Sequence, residues 1–306
     1  MENMHSQPAI FALGDAAYIY LEFALLPSIE PRTLIETVAN IHEPRTTVGG
    51  VNFAVGVRPS LWRALAPDAT PADARDFDRP YVGPDGFTMP ATQCDLWLYL
   101  SGATYDIVWE SARGAIAALR KVATLATDID GWSYRHSRDL TGFEDGTENP
   151  SLMEAPDVAL VAAGEPGEGA SILLFQKWRH EETWEALSTQ QQELVMGRTK
   201  AKSIEFPEDR MPGDSHVSRA KDIVNGEERD IFRRNTPYGN VREFGTVFVG
   251  FSAQQSRLDR MLMRMAGIEG GIRDALTRYT TPLTGAYYVI PSITALMRFA
   301  TETGSG

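Results

Sequence analysis

Three short stretches of the 306-residue chain carry residue types that could act together: GFEDGTENP (142–150), MPGDSHVSRA (211–220) and IFRRNTPYGN (231–240). The first sets adjacent carboxylates, Glu144 and Asp145, between Gly142 and Gly146. Local grammar alone reads it equally well as a solvated turn, because Asp-Gly and Asn-Pro are both turn signals. The second holds a lone histidine, His216, in a polar loop, and the third places Arg233 two residues before Asn235. A carboxylate, one imidazole and an arginine with a nearby amide are the set that peroxide activation on haem iron requires. A porphyrin supplies four ligands, so one axial histidine is enough. Hydrogen peroxide must lose a proton from one oxygen and regain it on the other, which a single carboxylate can manage. A permanently charged guanidinium stabilises the departing oxygen, and an amide can orient peroxide or water.

Other chemistries lack their markers. The five histidines (His5, His42, His136, His180 and His216) form no H-x-x-x-H or H-E-x-x-H pair. There is no G-x-S-x-G elbow, no phosphate-binding G-x-x-x-x-G-K-[ST] loop and no G-x-G-x-x-G after a strand. A single cysteine, Cys94, excludes an internal disulfide and a thiolate cluster, and reads as a small buried hydrophobe. The net charge of −12 argues against nucleic acid as a partner. No long apolar run or secretion pattern appears, so no membrane contact and a cytoplasmic location are expected.

The elements that must position these residues alternate between strands and helices. Strands are expected over 16–26, 48–57, 94–102, 169–180 and 245–253, where aromatic and β-branched residues run without turn signals. Helices are expected from Pro31, where Leu34, Ile35, Val38 and Ile41 recur at helical spacing, at SLWRAL with Ser60 as a cap, over 105–123, and through most of 180–201. A further helix over 257–268 carries Leu258, Met261, Leu262 and Met265 on one side, a core stripe rather than a cofactor box. The same grammar on both sides of residue 140 points to a duplicated ferredoxin-like α+β unit.

Taken as a set, the three clusters resemble the dye-decolorizing peroxidases, whose G-x-x-D-G hallmark is matched by Gly142, Asp145 and Gly146. The resemblance extends from QPAI through GRTK (197–200), DSHVSRA and FRRNTPYG to TGAYYVIPS (284–292). It implies Asp145 as distal acid and base, His216 as proximal iron ligand, Arg233 as distal arginine with Asn235 as its amide partner, and haem b contacts from His216, Gly146, Thr147 and Arg233. It implies an α+β fold of two ferredoxin-like halves, 1–140 and 141–306, with antiparallel sheets and peripheral helices, and haem held mainly by the second half. The expected reaction spends hydrogen peroxide on dyes, phenolics or other bulky electron donors, in an intracellular, type B-like homo-oligomer. The closing RFATETGSG shows no packaging peptide. A haem-storage or deferrochelation protein without fast peroxide turnover is the alternative.

Several assignments stay open. The carboxylate behind His216 is Asp274 or Asp222. Arg233 is preferred over Arg234, which would face solvent or a haem propionate; Glu144 would be exposed or lie beside a propionate. Trp97, Tyr99 and Trp109 are expected in the core, leaving Trp132 and Tyr134 as electron-relay candidates. An aspartate of ordinary pKa, about 4, is ionised in mild acid, so dye oxidation is expected to be greatest there.

Overall fold

The structure, a computed structural model, describes residues 5–41, 50–135, 137–224 and 226–301; His42, His136 and the first residues of the strand expected over 48–57 lie outside them. The first half runs β1 (Ala17–Leu25), α1 (Pro31–Ala39), β2 (Asn52–Val57), α2 (Pro59–Leu65), the short pair β3 (Tyr81–Val82) and β4 (Thr88–Met89), β5 (Leu96–Gly102), α3 (Tyr105–Leu119) and β6 (Ala123–Trp132). The second runs α4 (Ala155–Ala159), β7 (Ser171–His180), α5 (Thr189–Met196), α6 (His216–Arg219), the pair β8 (Asp222–Val224) and β9 (Glu227–Arg229), and β10 (Phe232–Gly239). It continues with β11 (Phe244–Ser252), α7 (Gln255–Met265), β12 (Thr280–Pro282), β13 (Ala286–Ile290) and α8 (Ile293–Met297).

Strand order exposes the duplication. The first half is ordered β6-β1-β5-β2 and the second β13-β7-β11-β10, so each is 4-1-3-2 in its own chain order, the ferredoxin-like arrangement. Two seams join them: Tyr238 of β10 pairs with Gly131 of β6, and Val289 of β13 pairs with Val57 of β2. With every pairing antiparallel, the eight strands close on themselves, each seam being a single residue pair. β12 is appended to β7 beside His180.

Closure buries both faces of the strands, so most of them read as continuous apolar runs without alternation. Inward positions fill the barrel with Tyr18, Tyr20, Trp97, Tyr99, Phe175, Phe232, Phe251 and Tyr288. Outward positions such as Ile19, Leu21, Leu98 and Leu100 pack under Leu34, Ile35 and Val38 of α1 and Val108 and Leu119 of α3. Each fully buried aromatic contributes on the order of 2–3 kcal/mol. The helix over 257–268 is α7, and its stripe of Leu258, Met261, Leu262 and Met265 is buried as expected.

Some local readings are corrected. Trp109 is 50% exposed, because α3 turns Val108, Ala112, Ala115 and Leu119 inward instead. Ser60 is not a cap: Arg58 holds that position, and the Ser60 hydroxyl and N–H both go to Asp76. Only 189–196 of the segment after β7 is α-helical, bounded by the Ser188–Gln191 capping box and by Gly197. β6 and β10 are strands that sequence inspection passed over. In β6 the exposed Thr124, Ala126, Asp128 and Asp130 alternate with less exposed neighbours, a period-two signal weakened by low apolar content.

The β10–β6 seam needs a residue without a side chain. A Cβ on Gly131 would stand 2.5 Å from Thr236 Cγ2 and 3.1 Å from the Pro237 carbonyl. Gly131→Val is therefore expected to lower unfolding free energy by about 2–3 kcal/mol, read from the urea midpoint at unchanged slope. A midpoint equal to wild type would mean that the seam carries no packing constraint.

Candidate active site

The outer face of the second sheet is not fully covered by helices. There β7, β10 and β11 present Gln176, Trp178, His180, Arg233, Asn235, Thr246 and Phe248 to a pocket. The far wall comes from Met196 at the end of α5, His216 of α6, Met261 and Met265 of α7, and Leu276 and Thr277 of the 3-10 turn Ala275–Arg278. The 139–147 loop closes one side. The space not filled by atoms, counting the open mouth, is about 950 Å³.

Strand alternation sorts the arginine pair. On β10, Arg233 and Asn235 face the pocket, whereas Phe232 and the buried Arg234 and Thr236 belong to the opposite, barrel side. Arg234 faces neither solvent nor the pocket. Its guanidinium donates to the carbonyls of Ala9, Ile10 and Ala12 and lies 5.1 Å from the ring centre of Tyr99.

The nonapeptide is clamped to β10 at two points. Asn149 acts as a surrogate strand, its Nδ2 donating to the Arg233 carbonyl at 2.7 Å and its Oδ1 accepting from the Arg233 N–H at 3.0 Å. Two residues further along, Asp145 accepts from the Asn235 backbone N–H at 2.8 Å and from its Nδ2 at 2.7 Å. The loop itself is a narrow hairpin in which Asp139 N–H donates to the Phe143 carbonyl and Gly142 N–H to the Asp139 carbonyl. Gly142 and Gly146 have φ of +88° and +73°, a region that L side chains rarely adopt. Glu144 points outward and is exposed at the pocket mouth.

This arrangement sets the state of Asp145. Burial raises its carboxyl above the ordinary aspartate value of 3.8, opposed first by the Asn235 bonds and then by the Arg233 charge. One hydrogen of the Asn235 Nδ2 is committed to Asp145, which leaves the other for a small ligand.

His216 opens α6 behind the buried N-cap Ser215. Its Nδ1 lies 2.7 Å from Oδ2 of Asp274, a fully buried carboxylate whose Oδ1 accepts from the Leu276 N–H. Among the described residues Nε2 has no protein partner, and His216 lines the pocket. The Ala275 N–H donates to the Asp214 carbonyl at 2.7 Å, tying the two segments together. Asp222 is occupied elsewhere, by Arg229 and Arg260. The carboxylate left open by the sequence is thus Asp274.

Donor chemistry suits one axial ligand on a macrocycle. One imidazole nitrogen is held by a carboxylate and the other is left for a metal. Among the described residues no three His, Cys, Asp or Glu side chains converge, as a four-ligand protein site would require. His216 lines the pocket along with Asp145, Arg233 and Asn235, and Met196, Phe248, Met261 and Leu276 supply apolar contact for a ring. Haem fits this pocket. Sequence inspection missed Arg198, whose largely buried guanidinium lines the pocket, donates to the Thr147 hydroxyl and pairs with Glu205 at 2.9 Å. Its position directly after Gly197, the residue that ends α5, was the available signal.

A family model described as "Dyp-type peroxidase, C-terminal" matches residues 136–295. The dye-decolorizing peroxidase of Rhodococcus erythropolis is 32% identical over 297 residues, spanning 94% of this chain and 86% of the relative. That of Mycobacterium tuberculosis is 31% identical over 276 residues, spanning 83% and 81%. A variant of DypB from Rhodococcus jostii RHA1, solved in complex with heme, is similar with a TM-score of 0.88 and 32% identity, over 94% of this chain and 97% of that one.

Asn149→Ala leaves the Arg233 N–H and carbonyl without partners and is expected to cost about 1–3 kcal/mol. Native-state hydrogen exchange should show the amides of 142–149 and Arg233 losing protection while those of β1 and β5 keep theirs. Unchanged protection at Arg233 would refute the clamp.

Proposed function

Because the chain belongs to the dye-decolorizing peroxidase family and is on that account a haem-dependent peroxidase, we propose that Asp145, Arg233 and Asn235 carry out its proton and charge handling and that His216 holds the iron. The observation that carries this reading is the opposition, in one pocket, of an imidazole backed by Asp274 and a carboxylate clamped beside a guanidinium. Haem b would be held by His216 Nε2, with Gly146, Thr147 and Arg233 along its face or edge and Arg198 available to a propionate. When bound, it supplies the iron at which the peroxide O–O bond breaks and through which donors are oxidised.

The residues themselves do the rest. The Asp145 carboxylate takes the proton from one peroxide oxygen and returns it to the other, which leaves as water. Arg233, with no carboxylate within ion-pair distance among the described residues, keeps its charge for the departing oxygen. Asn235 holds Asp145 by two N–H donors, which fixes its direction and favours its ionised form. Asp274 accepts the hydrogen bond of the His216 Nδ1–H, which fixes the tautomer and increases the electron donation of Nε2.

The matching strand orders support a division into halves at residue 140, with the site in 141–306. Among the described residues no helix is long and apolar enough to cross a membrane. A single half-buried cysteine suits a reducing compartment, which supports a cytoplasmic location.

Stopped-flow mixing of the haem-loaded protein with one equivalent of hydrogen peroxide tests the proposal. The Soret band should shift rapidly in wild type and not in His216→Ala, and Arg233→Leu should slow the bimolecular rate by roughly 10²–10³. A Soret band that peroxide leaves unmoved would favour haem storage.

The raised Asp145 pKa has a defined sign. The base form is lost as pH falls through a value above 3.8, so the rate with peroxide should rise with pH through that value. Asn235→Ala removes the strongest opposing bond, and the acid limb should move to higher pH. A limb that stays in place would separate Asn235 from the ionisation of Asp145.

A further inference from the structure

On the far side of the 139–143 hairpin lies a second depression, an open groove whose unfilled space, counting its mouth, is about 990 Å³. Its walls include Tyr134, Arg135, Arg138, Thr141, Trp184 and Lys200. The groove and the haem pocket share one wall: Thr141 lines both, and Phe143 of the pocket stands 6.3 Å, ring to ring, from Trp184. Trp184 is fixed there by an Nε1–H bond to the Thr141 carbonyl at 3.1 Å.

The charge of this groove is opposite to that of the chain. Against a net charge of −12 it gathers three cations, and among the described residues none of them has a carboxylate within ion-pair distance. Arg138 spends one nitrogen on the carbonyls of Gly142 and Lys200. The Lys200 ammonium lies 5.7 Å from the Phe143 ring centre, and burial, then Arg138, hold its pKa below the ordinary lysine value. Arg135 is exposed at the rim, stacked over Tyr134. Of the two acids in the lining, Glu193 accepts the Lys200 backbone N–H and Glu185 is exposed. The Lys200 ammonium also donates to Gln192 Oε1, a neutral partner, and cations without a carboxylate beside aromatic rings favour a flat anion.

We propose that this groove docks the electron donor as a small aromatic anion, a phenol bearing a carboxylate or sulfonate, and that Trp184 and Phe143 span the wall through which its electron reaches the haem pocket. The proposal rests on the peroxidase reading of that pocket. Two donors each lose one electron and, as phenols, one proton to solvent at the open groove. Peroxide takes up two electrons and two protons and leaves as two waters, so the exchange balances.

Ferulate and coniferyl alcohol share a ring and differ in the carboxylate, and they serve as probes. Titrated into the holoenzyme without peroxide, ferulate should bind Lys200→Glu and Arg135→Glu roughly three- to tenfold more weakly than wild type, with an affinity that falls as salt is added. Coniferyl alcohol should bind all three proteins alike. In turnover, the ferulate preference in kcat/KM should fall by the same factor while the bimolecular rate with peroxide stays at the wild-type value. Arg135 lies on the exposed rim, so its variant decides the matter if Lys200→Glu perturbs the hairpin. Undiminished ferulate binding in both variants, or binding that shifts the Soret band, would place the donor elsewhere and overturn the proposal. A failed peroxidase reading would show separately, as a Soret band unmoved by peroxide.

Discussion

Strand β10 is where the two parts of the structure meet, because its side chains must serve two faces at a period of two. Arg234 and Thr236 complete the aromatic barrel, and Thr236 shares a hydrogen bond with Tyr20 at 2.8 Å. Arg233 and Asn235 stand on the reverse of the same backbone and form the charged wall of the pocket. A slip of one residue would exchange these sets, burying the catalytic candidates in the barrel and turning Arg234 outward. The eight-residue register with β11 and the seam at Tyr238 and Gly131 prevent that slip. The barrel therefore sets the register of the pocket.

Given that register, the loop that carries Asp145 needs little structure of its own. Asn149 and Asp145 read two successive outward positions of β10 through backbone and side-chain groups. Each of these bonds is modest in net energy, about 1 kcal/mol, but leaving the groups unpaired in a buried site would cost more than the bond contributes. The opposing wall follows the same logic. Asp274 has both oxygens occupied, one by the Leu276 N–H and one by His216, so a fully buried carboxylate is tolerated and the imidazole is fixed in direction. Gly197, at φ +85°, lets the 211–216 segment pass where a Cβ would stand 2.8 Å from both Met211 Sδ and Ser215 Oγ.

The electrostatics divide along the same wall. The chain is strongly acidic overall, yet Arg138, Arg198, Lys200 and Arg233 surround the hairpin on its two sides. Arg198 is neutralised by Glu205, whereas Arg233 is left to the pocket and Lys200 to the outer groove. The five-residue hairpin 139–143 thus separates two cationic spaces of different character, one mainly apolar and suited to a ring, the other open to solvent.

Residue type and spacing pointed to haem peroxide chemistry before any fold was known. The single histidine of the D-S-H stretch, the aspartate between glycines and the arginine two before an amide are legible because each group is required by peroxide chemistry whatever the fold. The duplication was legible in outline, since buried strands and amphipathic helices leave strong apolar patterns, but the 4-1-3-2 order was not, because β6, β10 and β13 lie outside the expected strands. Three things were settled only in three dimensions. Asp274 rather than Asp222 stands behind His216, because it is 58 residues away in sequence and 2.7 Å away in space. Arg198 follows the helix-ending Gly197, but its place in the pocket rests on Thr147 and Glu205, contacts that no local pattern encodes. Arg234 lies in the barrel because closure of the two sheets buries a face that a single half would leave to solvent, and no property of the residue itself records that closure.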